Sequence, residues 1–429
     1  MSRWRRAFWG LVIAYSLFHL GYSILRYSIF TGTTDGDFIS AHQQATDWAK
    51  AGTYSAKTGV WHPPFYYWLL LHLDRIVGNR QRLAYFFYFL QFLLFPLAIR
   101  WIARSADRGG RPMAFLYLAA AALCVNFQPF LETLALHKVE GIEFTLVALA
   151  LICYRRKWDL LCGVAVVLAA NLKYLPGILI PYFLVKREWK VLLGMVLTEA
   201  ALVLLLTAQY GAETIRFALL QHPLDLLFSH RHEGTLPEAS VEMQTLTGAV
   251  NRLLARPDPR LGFMWYIETE NYMPVSYPQA AQAISGGLRL LLSGVWLVFI
   301  RRRVPEADRE RAWPRLLLEL SFTLVMILVV SQLARVHYAI LVLPAFVCVG
   351  LLMIQDPRRF GRLEKGLFLA SYGLSAMIVP GGALNRLPPL PIWGQEYSNL
   401  YLWASLPVWG YLLLGLCVLL CARRLGAER

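Results

Sequence analysis

Cysteine is scarce. The 429 residues hold six, Cys124, Cys153, Cys162, Cys348, Cys417 and Cys421, and each falls in an apolar stretch. The one close pair, Cys417 and Cys421, has helical spacing, so neither a disulfide scaffold nor a cysteine-ligated metal site is expected and the thiols read as packing groups. Charge is sparse too, 16% of residues against 57% hydrophobic, with a mean hydropathy of +0.46. That balance cannot cover the surface of several water-soluble domains, and it marks an integral membrane protein. Acidic side chains are the scarcest, 27 against 42 basic, for a net charge of +15. In a soluble domain this excess would point to nucleic acid, but here the basic residues cluster at the ends of apolar runs and serve topology. No Asn-x-Ser/Thr sequon marks a glycosylated loop. A soluble catalytic domain is missing, so any chemistry is confined to the outer membrane face or the bilayer.

What is present is a series of apolar runs. The first, from about Ala7 to Tyr27 behind Arg3, Arg5 and Arg6, is too long for a signal-peptide core and lacks a small-residue cleavage site, so it reads as an uncleaved helix. Others lie near 83–103, 113–133, 140–154, 158–172, 175–186, 190–208, 282–302, 316–334, 338–354, 365–381 and 400–422, making twelve. Short basic connectors separate them: Arg104, Arg108 and Arg111; Arg155, Arg156 and Lys157; Lys186, Arg187 and Lys190; Arg301 to Arg303; Arg358, Arg359 and Arg362; Arg423 and Arg424. Twelve crossings put every such cluster and both termini on the cytoplasmic side. The expected architecture is all-α and polytopic, one membrane-embedded domain over 1–429, with long outer loops at 28–65 and 209–281. Lysine supplies 8 of the 42 basic residues and arginine the other 34, a lean toward a high-GC prokaryotic source and hence a bacterial inner membrane.

Two runs, 158–172 and 175–186, are shorter than the roughly 20 residues that span a hydrocarbon core. Lys173 stands between them in Asn-Leu-Lys-Tyr-Leu-Pro-Gly. A lysine facing lipid at mid-membrane would cost about 2.5–3.5 kcal/mol, so Lys173 is expected to face water, a partner or a ligand.

The first outer loop carries Asp35 and Asp37, then Phe38, Ala41, Ala45, Trp48 and Ala49 at three- and four-residue spacing, the pattern of an amphipathic helix on the membrane surface. Asp37 fits its N-cap and Asp35 a turn. Asp-x-Asp also admits a divalent cation, though two acids without a third ligand make no defined site. The loop ends in Trp61-His62-Pro63-Pro64-Phe65-Tyr66-Tyr67-Trp68, where the prolines bar a continuing helix and the aromatics suit either the headgroup zone or a wall facing sugar or lipid. Farther on, Arg335 and His337 lie at an outer turn, alone an interface pair and together a site for an anionic headgroup. His137, Lys138, Glu140 and Glu143 form another outer cluster, in which Glu140 and Glu143 share a helical face and one can pair with Lys138. His222, His230 and His232 lack regular ligand spacing and read as solvated loop.

Taken in order, these landmarks resemble the GT-C-fold, polyprenyl-phosphate-sugar-dependent glycosyltransferases, and within them the family 87 mannosyltransferases. The resemblance spans most of residues 5–350. It rests on Asp37-Phe38 opening a helix after the first membrane segment, Pro-Pro-Phe at 63–65, the Tyr154-Arg155-Arg156-Lys157 turn, GVAVVLAANLKYLPGILIPYFLVKREWK, MQTLTGAVNRLL at 243–254, and SQLARVHYAILVLPAF at 331–346. The chain departs from the pattern at His62, in place of tyrosine. It departs again at Val139-Glu140 and Glu143, where similar proteins carry Gly-Gln and a nearby Asn.

The resemblance implies that Asp37 is the catalytic base of an inverting transfer, and that Lys173 and His337, helped by Arg335, bind the donor phosphate. Asp35, His62, Glu140 and Gln244 would line the cavity. A lipid phosphate is already a competent leaving group, so one carboxylate suffices, with neither cofactor nor metal required. The implied partners are a polyprenyl-phosphate sugar, a lipid-linked or cell-envelope glycan acceptor, and membrane lipid. A transporter or lipid flippase is the rival class, in which Lys173 would be a coupling or substrate residue. That class predicts internal repeats, which the two halves do not show, and charges near mid-bilayer, whereas Asp37, Arg335 and His337 map to the outer side. A non-catalytic envelope assembly factor would leave Asp37 dispensable.

Overall fold

The computed structural model describes residues 3–26, 36–51, 62–135, 139–212, 216, 238–239, 244–256, 273–331, 336–376 and 404–426. Nearly all of them are helical: α1 (Arg3–Arg26), α2 (Gly36–Ala51), α3 (Pro64–Val77), α4 (Arg80–Ala106), α5 (Met113–Val125), α6 (Gln128–Ala135), α7 (Glu140–Arg155), α8 (Asp159–Leu172), α9 (Leu179–Lys186), α10 (Trp189–Tyr210), α11 (Leu246–Leu253), α12 (Pro278–Ile300), α13 (Arg309–Val330), α14 (Leu343–Gln355), α15 (Arg362–Ala376) and α16 (Leu406–Gly426). Single 3₁₀ segments at Leu175–Ile178, Glu306–Asp308 and Val336–Leu341 connect some of these. The all-α expectation gains one small addition, an antiparallel pairing of Glu238–Ala239 (β1) with Met273–Pro274 (β2).

Among the described residues every predicted apolar run falls on helix, the run near 113–133 being divided between α5 and α6 and those near 175–186 and 338–354 opening as 3₁₀ turns. Among the described residues five helices are long and apolar enough to cross a membrane: α4, α10, α12, α13 with the turn from Glu306, and α16. The count of twelve crossings stays an expectation. In α13, 83% of the apolar stretch is buried, against 17% in α12, so α13 is the axis of the bundle and α12 part of its lipid-facing rim. Close crossings set the packing. A Cβ at Gly163 of α8 would overlap the Val191 carbonyl of α10, and one at Gly194 of α10 would overlap the Leu160 carbonyl of α8, so the two backbones meet only because both positions are glycine. All six cysteines are buried and free.

The basic connectors gather at one end. Arg155 donates to the carbonyls of Arg104 and Ser105 and pairs with Glu310 at 2.9 Å. Arg108 pairs with Asp356, Lys186 donates to the carbonyl of Arg302, Lys190 pairs with Glu306, and Arg424 pairs with Glu364. Beneath this rim the buried Arg309 guanidinium meets Asp159 and, at 2.8 Å, Glu188, and donates to the carbonyl of Tyr154, whose hydroxyl donates to Glu188 at 2.7 Å. Lys186 pairs with the buried Glu319, which also accepts from Arg315 at 2.9 Å. These connectors therefore do more than set topology: they tie the helix ends together.

One reading of the first outer loop needs correction and another gains a partner. The stripe of α2 is buried against protein, Phe38, Ala41, Ala45 and Trp48 all being inaccessible, with Trp48 against Tyr67 and Tyr210, while Ala49 is exposed; the placement of α2 at the membrane surface stays an expectation. Its partner is α3, which the two prolines open rather than prevent. Pro63 is the N-cap and Pro64 sits in the first turn, where a missing N–H costs nothing. Tyr66 and Tyr67 are consequently core residues, Tyr67 donating to Gln44 of α2 at 2.6 Å, and not part of an interfacial belt.

Candidate active site

Helices α7 and α8 both run between the basic end and the opposite end of the bundle. At 1.5 Å per residue the 16 residues of α7 and the 14 of α8 carry Glu140 and Lys173 roughly 20 Å from the basic rim. That is less than the roughly 30 Å of a hydrocarbon core, so these two helices end short of a full membrane thickness from the basic rim. Helix α8 stops because Lys173 is extended, with φ −156° and ψ 139°, and Pro176 follows in the 3₁₀ turn, unable to donate a helical hydrogen bond. Helix α7 begins close against α4, because Gly141 leaves room for Gln91 where a Cβ would collide with its side-chain oxygen.

At this end the structure brings together three residues that the sequence singled out separately. Lys173 Nζ pairs directly with Oε1 of Glu140, and Nε2 of His337 lies 3.2 Å from that same oxygen. The His337 segment, Val336–Leu341, packs as a 3₁₀ turn against α6 and α7. It also supplies Tyr338, whose ring centroid is 3.7 Å from the Lys173 ammonium, a cation–π contact that the sequence reading missed. Relative exposures of 8% for Lys173, 4% for His337 and 1% for Glu140 make this a desolvated cluster, in which the facing charges offset one another's burial. One turn along α7, Glu143 is wholly buried and neither of its carboxyl oxygens has a hydrogen-bond partner. Two residues before Lys173, Asn171 donates to Glu199 of α10 at 2.7 Å, fixing the end of α8 to α10.

The remaining predicted residues fall elsewhere or outside the described set. His62 lies against Tyr66 and Tyr67, and its backbone N–H donates to the Tyr67 hydroxyl at 3.3 Å. Gln244 is buried just ahead of α11, whose N-cap Thr245 accepts from the Gly248 N–H at 3.0 Å. Helix α2 starts at Gly36, so Asp37 lies within its first turn and not at its cap; the Asp37 side chain is outside the described residues. Asp35, Arg335, His137, Lys138, Met243, His222, His230, His232 and 382–398 also lie outside them. Glu140 pairs with Lys173 and His337, and the expected pairing of an acid with Lys138 lies outside the described residues. Among the described residues no three His, Cys, Asp or Glu side chains form a metal-binding group, and the Asp35–Asp37 candidate is not in that set.

Chemically, an ammonium and an imidazole from distant parts of the chain converge on one carboxylate oxygen beside an aromatic face. Fold and site together define a polytopic helical membrane protein with a buried Lys173–Glu140–His337 cluster at one end of its bundle. The pattern of glycosyltransferase family 87 matches residues 60–331, and the chain belongs to that family: it is a membrane glycosyltransferase. His62, Glu140, Lys173 and Gln244 lie within the matched stretch; Asp35, Asp37, Arg335 and His337 lie outside it. No curated protein matches the chain. Among solved structures, that of ArnT from Cupriavidus metallidurans in the apo state aligns over 98% of this chain and 77% of that one, with 16% identity and a TM-score of 0.35.

Proposed function

We propose that this glycosyltransferase moves a sugar, mannose by family resemblance, from a polyprenyl-phosphate donor to a lipid-linked or cell-envelope glycan acceptor at the outer face of a bacterial inner membrane. The observation that carries the reading is the convergence of Lys173 and His337 on one carboxylate oxygen at the end of the bundle opposite the basic rim. A buried ammonium is worth more to a lipid phosphate there than in water.

The chemistry is a single displacement. An acceptor hydroxyl attacks the anomeric carbon as the bond from that carbon to the phosphate oxygen breaks, and Asp37 takes the hydroxyl proton. The bonding electrons leave on the phosphate, whose charge rises from one to two units, and Lys173 and His337, with Arg335, meet the added charge. One displacement inverts the anomeric centre. Asp35, His62, Glu140 and Gln244 border the same cavity in this reading.

The test is transfer by purified protein in nanodiscs, given radiolabelled polyprenyl-phosphate sugars and a membrane-lipid extract, with chelator in a parallel arm. Transfer by the native protein is expected, with a loss of about 10²–10⁴-fold in a folded Asp37→Asn variant, the usual contribution of a general base. Full activity in Asp37→Asn would overturn the assignment of the base, and sensitivity to chelator would require a metal at the site.

A further inference from the structure

We infer that Glu140 is an internal stand-in for the donor phosphate: its Oε1 is held by the same two nitrogens that the proposed function assigns to the phosphate, so donor and Glu140 compete for Lys173 and His337. The inference rests on that reading of the site and adds a specificity-determining residue to it.

The geometry supports it in three ways. First, Lys173 Nζ and His337 Nε2 meet on a single oxygen of Glu140, the arrangement two donors adopt around one phosphate oxygen. Second, Lys173 is not anchored by Glu140 alone: its ammonium lies 3.7 Å from the centroid of the Tyr338 ring, and its backbone is fixed as the C-cap of α8, its N–H donating to the Ala169 carbonyl at 3.2 Å. The lysine therefore keeps its place when the carboxylate lets go. Third, Glu140 is the first residue of α7, so its side chain stands at the helix end that meets the His337 segment, and no helical turn precedes it.

Competition has a definite consequence. A donor whose phosphate makes both contacts must displace a carboxylate that already makes them, so part of its binding free energy is spent on the exchange. A neutral group of the same shape would remove that opposition. The protein therefore discriminates against weakly charged headgroups, which cannot displace Glu140, in favour of a phosphate that engages both nitrogens.

The experiment compares native protein, Glu140→Gln and Lys173→Met in nanodiscs, measuring donor KM, kcat and the thermal shift produced by polyprenyl phosphate. Glu140→Gln is expected to lower the donor KM about ten-fold, equivalent to about 1.4 kcal/mol, and to enlarge the thermal shift, whereas Lys173→Met raises KM and abolishes the shift. A purely structural Glu140 would lower the melting temperature and leave KM and the shift unchanged or worse, which would overturn the inference. Glu140→Asp, which keeps the charge but withdraws the oxygen by one methylene, is the second variant and should lower KM by a smaller factor. If neither variant folds, Glu140 is a structural counter-ion and the inference is wrong. Failure of the parent reading looks different: the native protein then shows no transfer and no thermal shift with any polyprenyl phosphate.

Discussion

The two ends of the bundle both bury charge, and they do it differently. At the basic end Arg309 has Asp159, Glu188 and the Tyr154 carbonyl around it, and Glu319 answers both Lys186 and Arg315. At the opposite end one Glu140 oxygen serves both Lys173 and His337, while the carboxyl oxygens of the buried Glu143 have no hydrogen-bond partner. The charges of the basic end tie helices together, and in the proposed reading those of the opposite end also meet the donor phosphate.

Breaking the basic-end cluster should have the largest effect on folding. Arg309→Met leaves Asp159 and Glu188 without their shared cation and is expected to cost about 3–5 kcal/mol, the usual result of removing one partner of a buried pair. It would appear as a lowered unfolding midpoint in detergent, with activity falling only in proportion to folded protein. A change in donor KM in the fraction that stays folded would erase the contrast between the two ends.

Removing the other cluster should act on catalysis. Lys173→Met combined with Glu140→Gln removes both members of the ion pair together, and it is expected to raise the donor KM about 30–100-fold, equivalent to about 2–3 kcal/mol for lost charge-assisted contacts. The double variant should unfold close to the native midpoint. Equal loss of folded protein would show that Lys173 belongs to the scaffold.

Smaller effects sharpen the contrast. Gly163→Ala forces α8 away from the Val191 carbonyl of α10 and should destabilise by about 1–3 kcal/mol, with donor KM unchanged. Displacement of Lys173 through α8 would instead move KM, and that result would link the packing of α8 to the site. Lys190→Ala removes an exposed pair with Glu306 and should change neither the unfolding midpoint nor KM.

The sequence made some of this legible. Apolar runs located the helices, because a membrane span must be apolar over its length whatever it packs against. Lys173 stood out because a lone cation between two short runs beside a proline needs a partner, and His337 because it lies at an outer turn just ahead of a long apolar run. Helix α3 was not legible: its opening prolines read as a stop, and the polar His72, Asp74 and Arg75 near its end hid its apolar face. With α3 missing, the stripe of α2 had no visible partner and was assigned to the membrane surface. The pairing of Glu140 could not be read either, since periodicity reports which residues share a face of one helix and not which side chain faces them from another element. The Arg309 cluster was missed for the same reason, its acids at 159 and 188 lying in different connectors.

The most direct test is equilibrium binding of polyprenyl phosphate, the leaving group of the proposed reaction, to three proteins in nanodiscs: native, Lys173→Met/Glu140→Gln, and Lys190→Ala. Native protein and Lys190→Ala are expected to bind equally and the double variant at least about 30-fold more weakly. Equal binding by all three would contradict the assignment of Lys173 to the donor phosphate.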